Sequence, residues 1–247
     1  MSKLLIETND GVRTLTFNRP ETKNAFDAEL WGLFRDELNS ASDDPSIYSL
    51  IVTGSSNTFS SGVDLTSMIG VGGNEYEVPF ETCIDALINF QKPLIGAVDG
   101  AAVGGGATIL LHFDAVFISP NAKIKYPFSD LGLAPEVGSS FLLFQTLGYQ
   151  KAAQLLFESN SIDGSSYFEL GLAKYVGEDF LDQAIGYANE LKDQSLASII
   201  ETKSILKSFA KDDLIQARNL ETKAMKKLFG SEDNLKAVEK FFAKKSN

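Results

Sequence analysis

The sequence predicts an α/β protein that ends in a long helical stretch. Short β-type apolar runs alternate with segments of helical period up to about residue 150. Several of those runs close on Gly or Asp-Gly turns, and beyond residue 150 the apolar spacing is helical with hardly any strand. With 247 residues, 44% of them hydrophobic and 22% charged, the chain has enough apolar content for a packed core. At this length roughly three quarters of the unfolded surface is buried without any covalent staple.

The elements follow in order. Leu4–Glu7 and Arg13–Asn18 flank Asn9-Asp10-Gly11, the signature of a hairpin. Asp27 stands as N-cap before Leu30, Leu33, Phe34 and Leu38, which recur at helical spacing. Ser49–Thr53 and Leu94–Val98 read as buried strands, and Ala115–Ile118 as another. A small-residue run, Ala101 to Ala107, leads into Ile109-Leu-Leu-His-Phe113, which places His112 in a helix. The stretch Gly70 to Glu75 reads as a mobile loop, because clustered glycines leave the backbone unrestrained. Ala152–Phe157, Ser165–Leu170, Leu181–Asp193 and Ser195–Lys245 are helical in period. The expected division is a core over residues 1–190 and a C-terminal helical region over residues 191–247.

Composition narrows the function. One cysteine, Cys83, permits no internal disulfide, and one histidine, His112, removes most zinc sites, so no metal is expected. A net charge of −11 argues against a phosphate-backbone partner, so no nucleic acid is expected. The N-terminal residues run straight into a strand pattern with no signal peptide. No window reaches the ~20 apolar residues of a membrane span, and the last residues are not a Ser-Lys-Leu peroxisomal signal. The expectation is a cytoplasmic protein.

Two glycine-bearing turns carry the candidate chemistry, Phe59-Ser-Ser-Gly-Val-Asp64-Leu65 and Gly100-Ala-Ala-Val-Gly104-Gly105-Gly106-Ala-Thr108. Each follows a strand. A glycine triplet at a helix start exposes backbone N–H groups to a developing oxyanion or a phosphate; it equally permits close helix packing. The run is neither Gly-x-Gly-x-x-Gly nor a Walker loop.

Taken in order, these turns, with Phe17-Asn-Arg-Pro20, Asn24-Ala25, Lys92 to Gly100, Asp114 and Pro127 to Gly138, resemble the crotonase superfamily of enoyl-CoA hydratases and isomerases across nearly the whole chain. The resemblance implies a crotonase (ClpP-like) spiral of ββα units, a C-terminal helical region used in trimer formation, and an acyl-CoA thioester substrate. A homotrimer or dimer of trimers is the expected assembly. It implies an oxyanion hole made by the backbone N–H groups of Val63 and Gly105, with Ala25, Ser61, Gly62, Asp64, Leu65 and Gly104 around the substrate. Arg19 and Lys23, in a loop that borders CoA in this family, are the candidate cations for its phosphates. For Asp64 a helix-capping role is preferred over that of a base.

Hydratases of the family use two glutamates. The matching positions here are Thr108 and Phe128, so the hydratase acid/base pair is missing. Glu136, in Leu133-Ala-Pro-Glu136-Val-Gly138, stands where the peroxisomal-type Δ3,Δ2-enoyl-CoA isomerases carry Pro-Glu. On sequence alone Pro135-Glu136 also reads as the first turn of a helix. The resemblance makes Glu136 a single base that takes a proton from carbon 2 and returns it to carbon 4. The implied activity is conversion of 3-enoyl-CoA to trans-2-enoyl-CoA in fatty-acid β-oxidation, with no cofactor, since CoA belongs to the substrate. The alternatives are another crotonase reaction, hydration or thioester hydrolysis with a second group from Glu75, Glu77 or Glu81, or an acyl-CoA-binding protein without turnover. Phe80 and Phe90 are candidates for an acyl channel. His112 reads as a packing histidine and Cys83 as a small inert hydrophobe.

Overall fold

A computed structural model describes residues 2–64 and 73–245. Strands β1 (Leu4–Asn9) and β2 (Val12–Phe17) form the expected hairpin, with Asp10 and Gly11 both at positive φ (47° and 79°), as a two-residue connection of matching twist requires. Four parallel strands extend it: β3 (Ser49–Gly54), β4 (Leu94–Val98), then β6 (Ala115–Ile118) and β9 (Tyr175–Val176), in the order β1-β2-β3-β4-β6-β9. A second sheet joins β5 (Ala101–Val103), β7 (Lys123–Lys125) and β8 (Ile162–Asp163). The chain passes from the first sheet to the second after β4 and again after β6, which is the spiral of ββα units the resemblance implies.

Helices cover both faces of the larger sheet, and this is why β3 and β4 read as continuous apolar runs. On one face lie α1 (Ala28–Asp43) and α2 (Gly73–Asn89). The Asp27 carboxylate caps α1 by accepting from the Leu30 N–H at 2.9 Å, and Leu30, Trp31, Phe34 and Leu38 turn inward against Leu50, Val52 and Leu94. On the other face Ile51, Ile95 and Phe117 meet Ala184 and Ala188 of α7 (Phe180–Lys192).

The remaining helices are α3 (Gly105–Thr108), α4 (Ser139–Leu147), α5 (Tyr149–Glu158), α6 (Gly164–Glu169), α8 (Leu196–Ser208), α9 (Lys211–Leu228) and α10 (Glu232–Lys245). The apparently continuous helical tail is thus three helices, broken at Phe209-Ala210 and at Gly230 (φ +75°). Two expectations need correction. The glycine-rich stretch is helical from Gly73 on, with Gly70–Gly72 outside the described residues. His112 ends a 3-10 turn rather than sitting mid-helix. Among the described residues no helix is long and apolar enough to cross a membrane.

A buried and a half-buried lysine fasten the C-terminal helices to the core. Lys203 Nζ donates to Lys92 O (2.9 Å) and to Asp114 Oδ2 (2.7 Å), an oxygen that also accepts the Leu94 N–H at the start of β4. Asp114 therefore has a structural role at the entry to β6. Lys207 Nζ donates to Ile88 O and Phe90 O at the end of α2, and burial pulls its pKa down to about 8. Lys203→Ala leaves the Lys92 carbonyl without its donor and the Asp114 carboxylate without its counter-charge and should lower unfolding free energy by about 1–3 kcal/mol in chemical denaturation.

Candidate active site

The two glycine turns lie against each other because one backbone segment pairs on both edges. Ser60 N–H donates to Ala101 O and Val103 N–H donates to Ser60 O, each at 2.9 Å. On the opposite edge Phe26 N–H donates to Gly62 O (2.7 Å), Asp64 N–H to Phe26 O (2.9 Å) and Ser61 N–H to Lys23 O (2.9 Å). Such close backbone approach leaves no room for side chains. A Cβ on Gly62, whose φ is +86°, would lie 2.4 Å from Val103 O and 3.3 Å from Gly105 N, and one on Gly106 would lie 2.6 Å from Ser60 O. Around the seam the N–H groups of Gly62, Asp64 and Gly104 are all paired. Those of Val63 and Gly105 have no acceptor among the described residues. Two fixed, unpaired backbone donors are what a developing oxyanion needs.

Glu136 stands beside them. A Cβ on Gly105 would lie 3.4 Å from Glu136 Oε1 and 3.5 Å from the Trp31 ring. The carboxyl has no hydrogen-bond partner among the described residues, and burial, together with the negative charges of Glu221 and Glu81, raises its pKa to about 7. The supporting backbone is strained, because Val137, a β-branched residue, has a φ of +63° and Gly138 one of +75°. His112 Nε2 holds the Val137 carbonyl at 2.8 Å. A carbonyl only accepts, so the ring carries its proton on Nε2, and burial lowers the His112 pKa to about 4.

Aromatic side chains form the adjoining wall. Trp31 stacks on Phe26 with centroids 3.9 Å apart and meets the edge of Phe80 at 5.3 Å. Its Nε1–H donates to Tyr76 Oη at 2.7 Å, and burial raises the Tyr76 phenol well above its ordinary value. Phe80 therefore lies at the site. Phe90 does not: it is buried under Lys203, whose Nζ is 5.5 Å from its ring centroid.

Arg19 is a correction. Its guanidinium is buried, donates to Ala25 O and pairs with Asp64 (3.1 Å) and Asp27 (3.2 Å), so it binds the hairpin loop to the first glycine turn instead of facing a phosphate. Lys23 is exposed on that loop with no ion pair among the described residues. Ala25 is buried, and Ser61 Oγ donates to Thr22 O at 3.0 Å. Gly104 leads into α3 at a φ of +52°. Leu65, and the helix that Asp64 would cap, lie outside the described residues. Thr108 and Phe128 are both buried, and the Thr108 hydroxyl donates to Gly105 O at 3.3 Å. Glu77 and Glu81 are paired with Lys226 (3.4 Å) and Arg218 (2.7 Å) of α9. Cys83 is buried, which pushes its thiol pKa up. No cluster of three His, Cys, Asp or Glu fit for a metal ion occurs among the described residues.

Trp31, Tyr76 and Glu221 were not legible as site residues. Trp31 hides inside the helical period of α1, and nothing in sequence brings residue 221 near residue 136.

Comparison with known proteins agrees with this geometry. The family model "Enoyl-CoA hydratase/isomerase" matches residues 7–247. A probable enoyl-CoA hydratase of Rhizobium meliloti is 29% identical over 245 residues, covering 98% of this chain and 95% of its own. The peroxisomal enoyl-CoA delta isomerase 3 of Mus musculus is 34% identical over 179 residues, 70% of this chain, and the match spans only 56% of that protein's length. Among solved structures, Pseudomonas aeruginosa OdaA superposes with a TM-score of 0.91 at 30% identity, over 98% of this chain and 99% of its own. A spiral of this topology, two unpaired donors at facing glycine turns and a family match over almost every residue lead to one conclusion: this chain belongs to the enoyl-CoA hydratase/isomerase family.

Proposed function

We propose that the chain is an enoyl-CoA isomerase that converts 3-enoyl-CoA to trans-2-enoyl-CoA, a step that admits unsaturated fatty acids to β-oxidation. The observation that carries this reading is the Glu136 carboxyl beside Gly105, which has no hydrogen-bond partner among the described residues, with Thr108 and Phe128 at the two positions where the hydratase resemblance expects glutamates. The thioester oxygen accepts from the Val63 and Gly105 N–H groups. Charge gathers on that oxygen as Glu136 removes a proton from carbon 2, and each donor stabilises the dienolate by about 3–4 kcal/mol. The protonated Glu136 then delivers the proton to carbon 4 of the same dienolate. The reaction is redox-neutral and activates no water, so CoA enters only as part of the substrate. A carboxyl whose pKa lies near 7 suits a base that must also act as an acid, and a protein that merely binds acyl-CoA has no use for it.

Lys23, exposed on the loop that holds Ser61, is the cation we assign to the CoA phosphates. The C-terminal helices also expose large apolar side chains, with Phe209 80%, Leu206 65% and Leu220 60% accessible, which supports burial between copies in a trimer. Light scattering should give a mass of three chains or six.

Glu136→Gln should lower conversion of 3-hexenoyl-CoA, followed by conjugated-thioester absorbance, by at least about a hundredfold with little change in KM. Hydration of crotonyl-CoA by the wild-type protein at a comparable rate would refute the isomerase reading. The same substitution should stabilise the fold. Between pH 4.5 and about 7 folded Glu136 keeps a proton that the unfolded chain has lost, so its contribution to stability falls as pH rises through that window. At pH 8 Glu136→Gln is expected to be up to about 3 kcal/mol more stable than wild type, with the gain vanishing at pH 4.5. In wild type, kcat/KM should rise with pH through about 7 as Glu136 ionises.

A further inference from the structure

The loop bearing Glu136 is held by a helix distant from it in sequence. Leu214, Arg218 and Glu221 recur at spacings of four and three on α9 and so form one stripe. All three act on the same region. Leu214 Cδ1 packs against Gly138, where a Cβ would meet it at 2.4 Å. Arg218 pairs with Glu81 and Asp85 of α2, each at 2.7 Å. Glu221, only 6% exposed, accepts three hydrogen bonds: from Gly138 N–H to Oε2 (2.7 Å), and from Ser140 N–H (2.9 Å) and Ser140 Oγ–H (2.5 Å) to Oε1. The two backbone donors flank the N-terminus of α4, immediately after the strained Val137.

A buried carboxylate on that backbone needs a reason. The three donors favour its ionised form, while burial opposes it and raises its pKa. Removing N–H donors from water next to a residue at positive φ fixes a conformation that Val137 would otherwise leave. With His112 holding the Val137 carbonyl, the Glu136 backbone is clamped from both sides. We propose that Glu221 is a positioning residue for Glu136: from the C-terminal helical region it locks the loop in its strained form and keeps a negative charge facing the base. The inference rests on Glu136 being the base. The other groups facing Glu136 are Glu81 of α2, neutralised by Arg218, and Tyr76 of α2, while His112 stays neutral. Of the two carboxylates that act on Glu136, Glu221 has the larger effect, although Arg218, which also holds two carboxylates of α2, acts on Glu221 too.

Glu221→Gln keeps the shape, removes the charge and turns one donor-facing oxygen into an amide. In protein labelled with [13C]glutamate, the Glu136 carboxyl resonance, assigned by its loss in Glu136→Gln, should titrate at a lower pH in Glu221→Gln than in wild type. In the isomerase assay kcat should fall about ten- to a hundredfold, with KM within about twofold. An unmoved midpoint with unchanged kcat would overturn the proposal. Should Glu221→Gln fail to fold, Ser140→Ala decides instead: a fall in kcat at constant KM supports the clamp, and an unchanged kcat refutes it. Wild-type protein that is inactive on 3-hexenoyl-CoA would defeat the isomerase reading, and the carboxyl titration alone would then judge Glu221.

Discussion

The backbone seam at residues 60–64 is the constraint on which the rest of the site depends. One extended segment pairs with residues 23–26 on one edge and with residues 101–103 on the other, so the two glycine turns cannot move apart without breaking the second ladder, and the first ladder fixes the segment to the loop after the hairpin. The pairing uses nearly every amide of the segment, and among the described residues it leaves the Val63 N–H, and beside it that of Gly105, without an acceptor. An N–H without a partner costs about 1–3 kcal/mol when shielded from water. The seam sustains that cost because the neighbouring hydrogen bonds and the buried Arg19–Asp27–Asp64 cluster fix the same backbone. Donors fixed in advance need no reorganisation when charge appears on a substrate oxygen, which suits backbone groups to the oxyanion role proposed for them.

Glu136 is the second departure from the stability optimum. Its carboxyl is half-buried with no hydrogen-bond partner among the described residues, next to a valine at positive φ, with two further carboxylates nearby. Each feature would be a fault in a structural segment. Together they hold the carboxyl we propose as the base near neutrality and in place, and two separate parts of the chain support it. His112 grips the loop from the end of the 3-10 turn that follows α3, Glu221 from α9, and Arg218 neutralises Glu81 from that same stripe. The C-terminal helices, held to the core by Lys203 and Lys207, are thereby part of the support for the site as well as a cover for the fold.

What the sequence disclosed divides by range. The hairpin, the Asp27 cap, the buried strands β3, β4 and β6 and the helices at residues 152–157 and 181–193 follow from local periodicity and turn chemistry, and each lies within a few residues of its expected bounds. The site turns were legible because glycine where backbones touch leaves a motif. Helix α4, opened by Gly138 and Ser139 and rich in Phe and Leu, carries no polar stripe to reveal its period. The two-residue strands β8 and β9 are too short to show alternation. Arg19 was misread because a cation in a loop looks solvated until the two aspartates that bury it, 8 and 45 positions away, are brought in by the fold. Glu221 was invisible for the same reason at greater range.

The central claim is that one sheltered carboxyl carries the proton from carbon 2 to carbon 4. The most direct test is turnover of 3-hexenoyl-CoA dideuterated at carbon 2 in ordinary water, with the product read by mass spectrometry and NMR. Glu136 acting alone predicts that a substantial share of the product carries the abstracted deuteron at carbon 4. Product with only solvent hydrogen added at carbon 4, from the first turnover onward, would contradict it.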